Sequence, residues 1–232
     1  AVTSLSLLKN FDEYTFQHCV NVSVLSLSLA HAFGFPRSLL KLVGLGGLLH
    51  DIGKMRIPEG ILNKPGRYSE WEFNIMKKHP ILGAEMLKES GSVHKVVTLI
   101  ALQHHERADG SGYPQRMTRE NINELARLVA ITDVYDALTT KRVYKDTIPP
   151  HKALAMIFEN RNQDFDSEMV ERFAKTIGIF PIGSYVQLSN GQKAVVVSIN
   201  HQNTVLPTVE LVKSATGSFF KRQMILDLAS EE

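Results

Sequence analysis

Leu48-Leu49-His50-Asp51-Ile52-Gly53-Lys54 is the stretch that decides how this chain is read. An apolar helix runs into adjacent His and Asp, then a Gly, then a Lys. An imidazole beside a carboxylate holds divalent metal, and a carboxylate has two oxygens, enough to bridge two ions. Gly53 is expected to let the backbone turn where the helix ends. Lys54 then brings a point positive charge back toward the metals, where an anionic substrate would sit. A single His-Asp pair is weak evidence, since a His at a helix end is commonly a cap or a core residue. The other histidines settle the matter.

Outward from this stretch, residues 38–50 form a helix with Leu39, Leu42, Leu45 and Leu49 inward. Gly44, Gly46 and Gly47 are costly in a helix, so close helix packing is expected as the compensation. Upstream, residues 11–33 read as a long helix. His18, Val22, Leu25 and Leu29 share one stripe, so His18 points into the core. Gly34-Phe35-Pro36 ends that helix. Downstream, residues 55–68 look irregular. Ser69-Glu70-Trp71-Glu72 is a capping box opening a helix near Glu70. That helix ends near Lys78-His79-Pro80, because Pro80 disfavours helix at His79. Ile81 to Lys88 is helical, and Ser92 is the N-cap expected for a helix over 93–105. Trp71 is assigned to the core.

The next polar stretch is His104-His105-Glu106-Arg107-Ala108-Asp109-Gly110-Ser111-Gly112-Tyr113-Pro114. Neighbours on a helix lie about 100° apart, so two adjacent histidines serve one centre only near a helix end. The glycines that follow place the end here. In the helix over 121–140, Leu125, Val129, Asp133 and Asp136 fall on one apolar stripe. Buried Asp needs a partner. A salt bridge to Arg or Lys competes for Asp136; metal is the better reading for Asp133. Helices follow at 150–158 and 167–177. Beyond Pro181-Ile182-Gly183 the pattern becomes β, with 185–188, 193–198, 205–212 and 218–228 strand-like and Asn190-Gly191 a hairpin signal. The expected fold is mainly α, a helical bundle over 1–180 with a small all-β appendage over 181–232.

With 232 residues, 44% apolar and 22% charged, the composition is that of an ordinary globular protein. A net charge of +2 gives no reason to expect a nucleic acid polymer or an anionic membrane as partner. No apolar run approaches the roughly 18 residues of a membrane span. The first residues lack a signal-peptide pattern. The lone Cys19 fits a reducing, cytoplasmic compartment. The chain does not begin with Met, and a piece of a longer protein is expected.

The constellation is therefore His18, His50, Asp51, His79, His104, His105 and Asp133. These are five of the nine histidines, with two aspartates and no Cys. An all N/O set suits Fe, Mn, Zn or Ni in a catalytic site. Seven ligands are too many for one tetrahedral ion and about right for two. His31, His94, His151 and His201 read as surface or packing residues, and Cys19 as a small core residue.

His50-Asp51-Ile52-Gly53-Lys54 together with the His104 to Pro114 stretch resembles the HD-GYP family, the bacterial cyclic di-GMP phosphodiesterase branch of the HD superfamily. Lys78-His79-Pro80, Asp133-Val134-Tyr135-Asp136-Ala137-Leu138-Thr139 and Arg142-Val143-Tyr144-Lys145 also match. The resemblance implies one metal held by His18, His50, Asp51 and Asp133. It implies a second held by Asp51, His79, His104 and His105, with Asp51 bridging. It further implies substrate contacts from Lys54, Tyr113, Asp136, Arg142 and Lys145. Implied with these are two transition metals, Fe or Mn before Ni or Zn, and hydrolysis of cyclic di-GMP to linear pGpG, cyclic GMP-AMP being a further substrate. Some relatives hold a third metal with a Glu four residues before the first-helix His. Tyr14 stands there in this chain, and Glu13 lies about 100° around the helix, so two metals are expected. Val143 replaces a Pro common in the family. Two metals roughly 3.5–4 Å apart would turn a bridging water into hydroxide near neutral pH, with Asp51 and Lys54 the catalytic side chains. The alternative reading is a low-activity nucleotide sensor or a module docking a diguanylate cyclase or an upstream regulatory domain through the Gly-Tyr-Pro loop.

Overall fold

The computed structural model describes residues 13–140 and 147–230. The first two helices, α1 (Glu13–Ala32) and α2 (Arg37–Leu49), form a hairpin. Gly34 closes α1 with φ of 75°, a left-handed conformation that side-chain-bearing residues rarely adopt. Gly44 and Gly47 of α2 lie where the two helices meet, and Gly46 faces Ile100 of the later helix over Lys95–Gln103. A Cβ on Gly47 would lie 2.9 Å from the Ser23 Cα, and one on Gly46 would run into the Ile100 side chain. Close packing is thus what compensates their low helix propensity.

After α2 the chain makes a 3-10 turn over Ile52–Arg56, a short α3 (Glu59–Leu62), α4 (Glu70–Met76), α5 (His79–Glu89) and α6 (Lys95–Gln103). α5 packs on the 3-10 turn and on α6. The longest later helix, α7 (Glu124–Thr139), is buried on nearly every side, from Leu125 through Asp136. It packs against α1, α6 and α8 (Pro150–Glu159), and α9 (Ser167–Ile177) closes over α1 and α8. Val22, Leu29, Val43, Ile100, Leu128, Ile131 and Phe173 form the main apolar core. A second cluster, with Cys19, Leu49, Ile52, Leu87, Val97 and Ala101, lies under the His50-Asp51 stretch. Truncating a side chain such as Leu128 in this core would cost about 2–5 kcal/mol.

The sheet is an antiparallel meander in the order β1 (Tyr185–Gln187), β2 (Lys193–Ser198), β3 (Thr208–Lys213), β4 (Ile225–Asp227). The β1–β2 hairpin turns at Asn190-Gly191, with Gly191 at φ of 84°. Ala194, Val196, Val209 and Leu211 make its small core. The expected fold class, mainly α with a β appendage, is the one observed.

Several local readings change. Pro80 does not break the chain at His79: α5 begins at His79 with Pro80 in its first turn, where a missing N–H costs nothing. His94, not Ser92, caps α6, its Nδ1 accepting from the Val96 N–H at 3.2 Å. The stretch 55–68 contains a 3-10 turn and α3 rather than only loop. Trp71 is 68% exposed and not in the core. It lies in the first turn of α4, whose buried residue is Met76. The last two strands are shorter than their sequence patterns, at 208–213 and 225–227.

Candidate metal centre

The seven residues of the constellation come from five separate places. His18 projects from α1, His50 and Asp51 follow α2, His79 opens α5, His104 and His105 follow α6, and Asp133 lies on α7. All but His105 are buried, and His105 keeps 19% of its side chain exposed. They form two groups whose ligand atoms lie within 4.8 Å of one another: His18, His50 and Asp133, and Asp51, His79, His104 and His105. Asp51 stands between them. Its Oδ2 is 3.4 Å from His50 Nε2 and 3.8 Å from His18 Nε2. Its Oδ1 is 3.2 Å from His79 Nε2 and 3.8 Å from His104 Nε2. Each carboxylate oxygen faces one group.

Ring orientation is set by hydrogen bonds from behind. The Nδ1 of His50 donates to the Gly47 carbonyl at 2.7 Å, that of His79 to Met76 at 2.8 Å, and that of His104 to Ala101 at 2.9 Å. A carbonyl only accepts, so Nδ1 carries a proton in each ring and Nε2 is turned inward, free to take a cation or a second proton. The His79 and His104 Nε2 atoms are 3.3 Å apart. Two lone pairs pointed at each other repel unless a cation or a proton lies between them. His50 Nε2 and Asp51 Oδ1 are buried and make no hydrogen bond. Such orphaned polar atoms are costly in a dry core. Divalent cations bound in the two groups would satisfy all four atoms, so the donor set fits a metal centre.

Asp136 makes no ion pair with Arg or Lys among the described residues; its partner is His18. Its Oδ2 accepts from His18 Nδ1 at 2.6 Å, and its Oδ1 from Asn21 and Thr140, each at 2.9 Å. With both oxygens committed to the protein it orients His18. Gly53 also acts otherwise than expected. It has no left-handed φ; a Cβ there would run into the His79 carbonyl and the Gly83 backbone. Its role is to let α5 approach the turn that carries Asp51. Lys54 extends its ammonium to Asp51 Oδ2 at 2.5 Å. The ring of Tyr113 lies against His105, centroids 4.7 Å apart, and its N–H donates to the His105 carbonyl. A Cβ on Gly112 would collide with the backbone of 105–107, so only glycine lets this loop fold back onto His105. Arg142 and Lys145 lie outside the described residues.

The HD domain family profile matches residues 5–169. The chain belongs to the HD domain family. Its HD-GYP resemblance holds within that family. A cyclic di-GMP phosphodiesterase of Pseudomonas aeruginosa is 41% identical over 228 residues, 98% of this chain and 55% of that protein. A 3'3'-cGAMP-specific phosphodiesterase of Vibrio cholerae is 37% identical over 158 residues, 68% of this chain and 30% of that protein. Among solved structures, an HDG"Y"P protein from Bdellovibrio bacteriovorus is 28% identical with a TM-score of 0.58, covering 68% of this chain and 50% of that one. The chain thus spans about half or less of the length of these relatives.

The electrostatics of this HD domain centre on buried negative charge. Burial opposes ionisation of Asp51, yet Lys54 and His50 hold its carboxyl well below the usual range. Burial likewise opposes that of Asp133, and His18 and His50 keep it low. Burial disfavours the charged form of His18 and His50, but Asp133 and Asp136 raise the first, and Asp51 with the neighbouring Cys19 raises the second. His104 goes the other way: burial, then the neighbouring His50 and His79, push it down to about 3. Burial and His104 depress His105. Burial, with Asp133 and Asp51, raises the Tyr113 phenol, which therefore stays a neutral hydrogen-bond donor.

Sequence reasoning gave Glu106 no role. Its buried carboxylate accepts the Gln115 N–H at 2.6 Å and the Met117 N–H at 2.9 Å, and so clamps the Gly-Tyr-Pro loop. A Glu in a run of polar residues carries no sign of burial. Asn21 and Thr140, which hold Asp136, were also missed; they lie 119 positions apart in the chain and meet only in the fold. Among the described residues no helix is long and apolar enough to cross a membrane.

Proposed function

We propose that this chain is a metal-dependent phosphodiesterase that opens cyclic di-GMP to linear pGpG. The observation that carries the reading is the division of Asp51, one oxygen toward His18, His50 and Asp133 and the other toward His79, His104 and His105. Only a carboxylate so placed serves two ions at once. The names of the relatives support the substrate class, and cyclic GMP-AMP is a second substrate on this reading.

His18, His50, Asp51 and Asp133 would hold one ion, and Asp51, His79, His104 and His105 the other, Fe or Mn by the N/O donor set. Bound there, two such ions supply activated water and Lewis-acid polarisation of the phosphodiester. Around them the chain positions the reaction. Asp136 holds His18 in register. Lys54 offers positive charge to a phosphoryl oxygen from beside Asp51. Tyr113 covers His105 and keeps its phenol proton for the substrate. Arg142 and Lys145 add phosphate contacts by the family resemblance. Tyr14, not a carboxylate, stacks on His18 with parallel rings, which supports two ions rather than three. Residues 1–180 are the catalytic domain in this proposal and 181–232 a separate β subdomain, in a cytoplasmic protein.

The test is a chromatographic time course with metal-loaded protein and cyclic di-GMP. The linear product has lost the preorganisation of the ring and must rebind at an entropic cost. Linear pGpG should therefore accumulate before GMP. GMP at the earliest points with no pGpG would refute the one-cut reading.

A further inference from the structure

Lys77, the C-cap of α4, carries a charge that nothing in the centre uses. Its ammonium lies 4.5 Å from the centroid of the Phe73 ring and 5.9 Å from that of Tyr113. Its residue is half-buried, and among the described residues no carboxylate stands within ion-pair distance of it. Tyr113 in turn packs on His105, and His79 follows Lys77 by two residues. An ordinary surface lysine swings freely in water or pairs with an acid. This one is held by two aromatic faces, one of them the Tyr113 ring that covers His105, a placement that fixes a cation without neutralising it.

A cyclic dinucleotide carries two phosphodiesters. While one sits at the metal ligands beside Lys54, the ring holds the other away from them, toward the rim. We infer that Lys77, held between Phe73 and Tyr113, is a substrate-binding residue for the second, uncleaved phosphate, and so selects cyclic dinucleotides over simple phosphodiesters. The inference rests on the proposed function and adds a residue to it. Phosphate would gain a charge-assisted contact with an ammonium already in place, and the exposed Phe73 ring gives a base a flat apolar surface beside it.

The experiment compares wild type, Lys77→Met and Lys77→Arg, all metal-loaded, on cyclic di-GMP and on bis(p-nitrophenyl) phosphate, which has a single phosphate. Equilibrium dialysis with cyclic di-GMP runs in parallel. Lys77→Met should raise KM and the dissociation constant for cyclic di-GMP about tenfold. It should leave kcat within about twofold and the bis(p-nitrophenyl) phosphate rate unchanged, and Lys77→Arg should restore most of the binding. Unchanged nucleotide binding in Lys77→Met overturns the inference. So does an equal loss on both substrates, which would make Lys77 a general support of the site. Wild type that binds cyclic di-GMP without cleaving it, with binding weakened in Lys77→Met, sustains the inference while refuting the hydrolysis reading. Wild type that neither binds nor cleaves it refutes both.

Discussion

Gly53→Ala tests how the two halves of the centre are held together. A Cβ on Gly53 would overlap the His79 carbonyl oxygen and the N and Cα of Gly83. All three are backbone atoms, so no side chain can rotate away and α5 must move off the 3-10 turn by an amount on the order of 1 Å. Overpacking costs typically about 1–3 kcal/mol, and with backbone on the receiving side the upper end is expected, about 3 kcal/mol. Against a total stability of about 5–15 kcal/mol the variant still folds. The same shift carries His79 away from Asp51, now 3.2 Å between ligand atoms, whereas metal–ligand distances tolerate only about 0.2 Å. The ion held by His79, His104 and His105 should be lost first, taking metal content from about two per chain to about one. Urea denaturation and metal analysis of the same preparation read both effects. Gly83→Ala is the control: its Cβ would lie 3.1 Å from Gly53 N and 3.4 Å from its Cα, looser contacts that should cost about 1 kcal/mol. Gly53→Ala with the wild-type denaturation midpoint and both metals would refute the reasoning.

Asp51→Ala should abolish hydrolysis and release both ions, since it is the residue common to the two groups; a variant that keeps two metals and a near wild-type rate would disprove the bridge. Asp136→Ala should weaken the ion held by His18 about 10–100-fold in a chelator competition, because His18 loses the acceptor on its Nδ1; unchanged affinity would mean the ring is oriented by packing alone. The capping box of α4 should fail only in strong acid. Glu72 is lowered to about 2 by its bonds from Lys64 and from the Ser69 N–H, so its contribution is complete above the unfolded carboxylate value near 4.5 and fades as pH falls through about 2. The Ser69 and Glu72 amide shifts in an NMR titration should move near pH 2; movement centred near 4.5 would contradict the coupling.

Much of the fold was legible because its signals are local. The stripe from His18 to Leu29, the capping box at Ser69 and the Asn190-Gly191 turn are short-range patterns, and each element formed as read. The misreadings arose where a local rule met a tertiary fact. Pro80 disfavours helix before it in general, yet it fits a first turn. Trp71 is apolar and large, yet its helix turns another face inward. Gly53 was read for its freedom of φ, when what matters is the backbone lying against it.

The sequence by itself determined the chemistry available: seven candidate N/O donors on helix ends and on the inward faces of helices. Helical periodicity and residue type suffice for that, since both are properties of the chain before it packs. It was the fold that brought Cys19 beside His50 and Asp51. Tertiary structure alone decided how those ligands are shared. That Asp51 directs one oxygen to each group, that Asp136 backs His18, and that Tyr113 comes within reach of Lys77 all depend on distances between segments far apart in the chain. Those distances are set by helix packing around α7 and by the glycine contact at Gly53, and no local pattern encodes them.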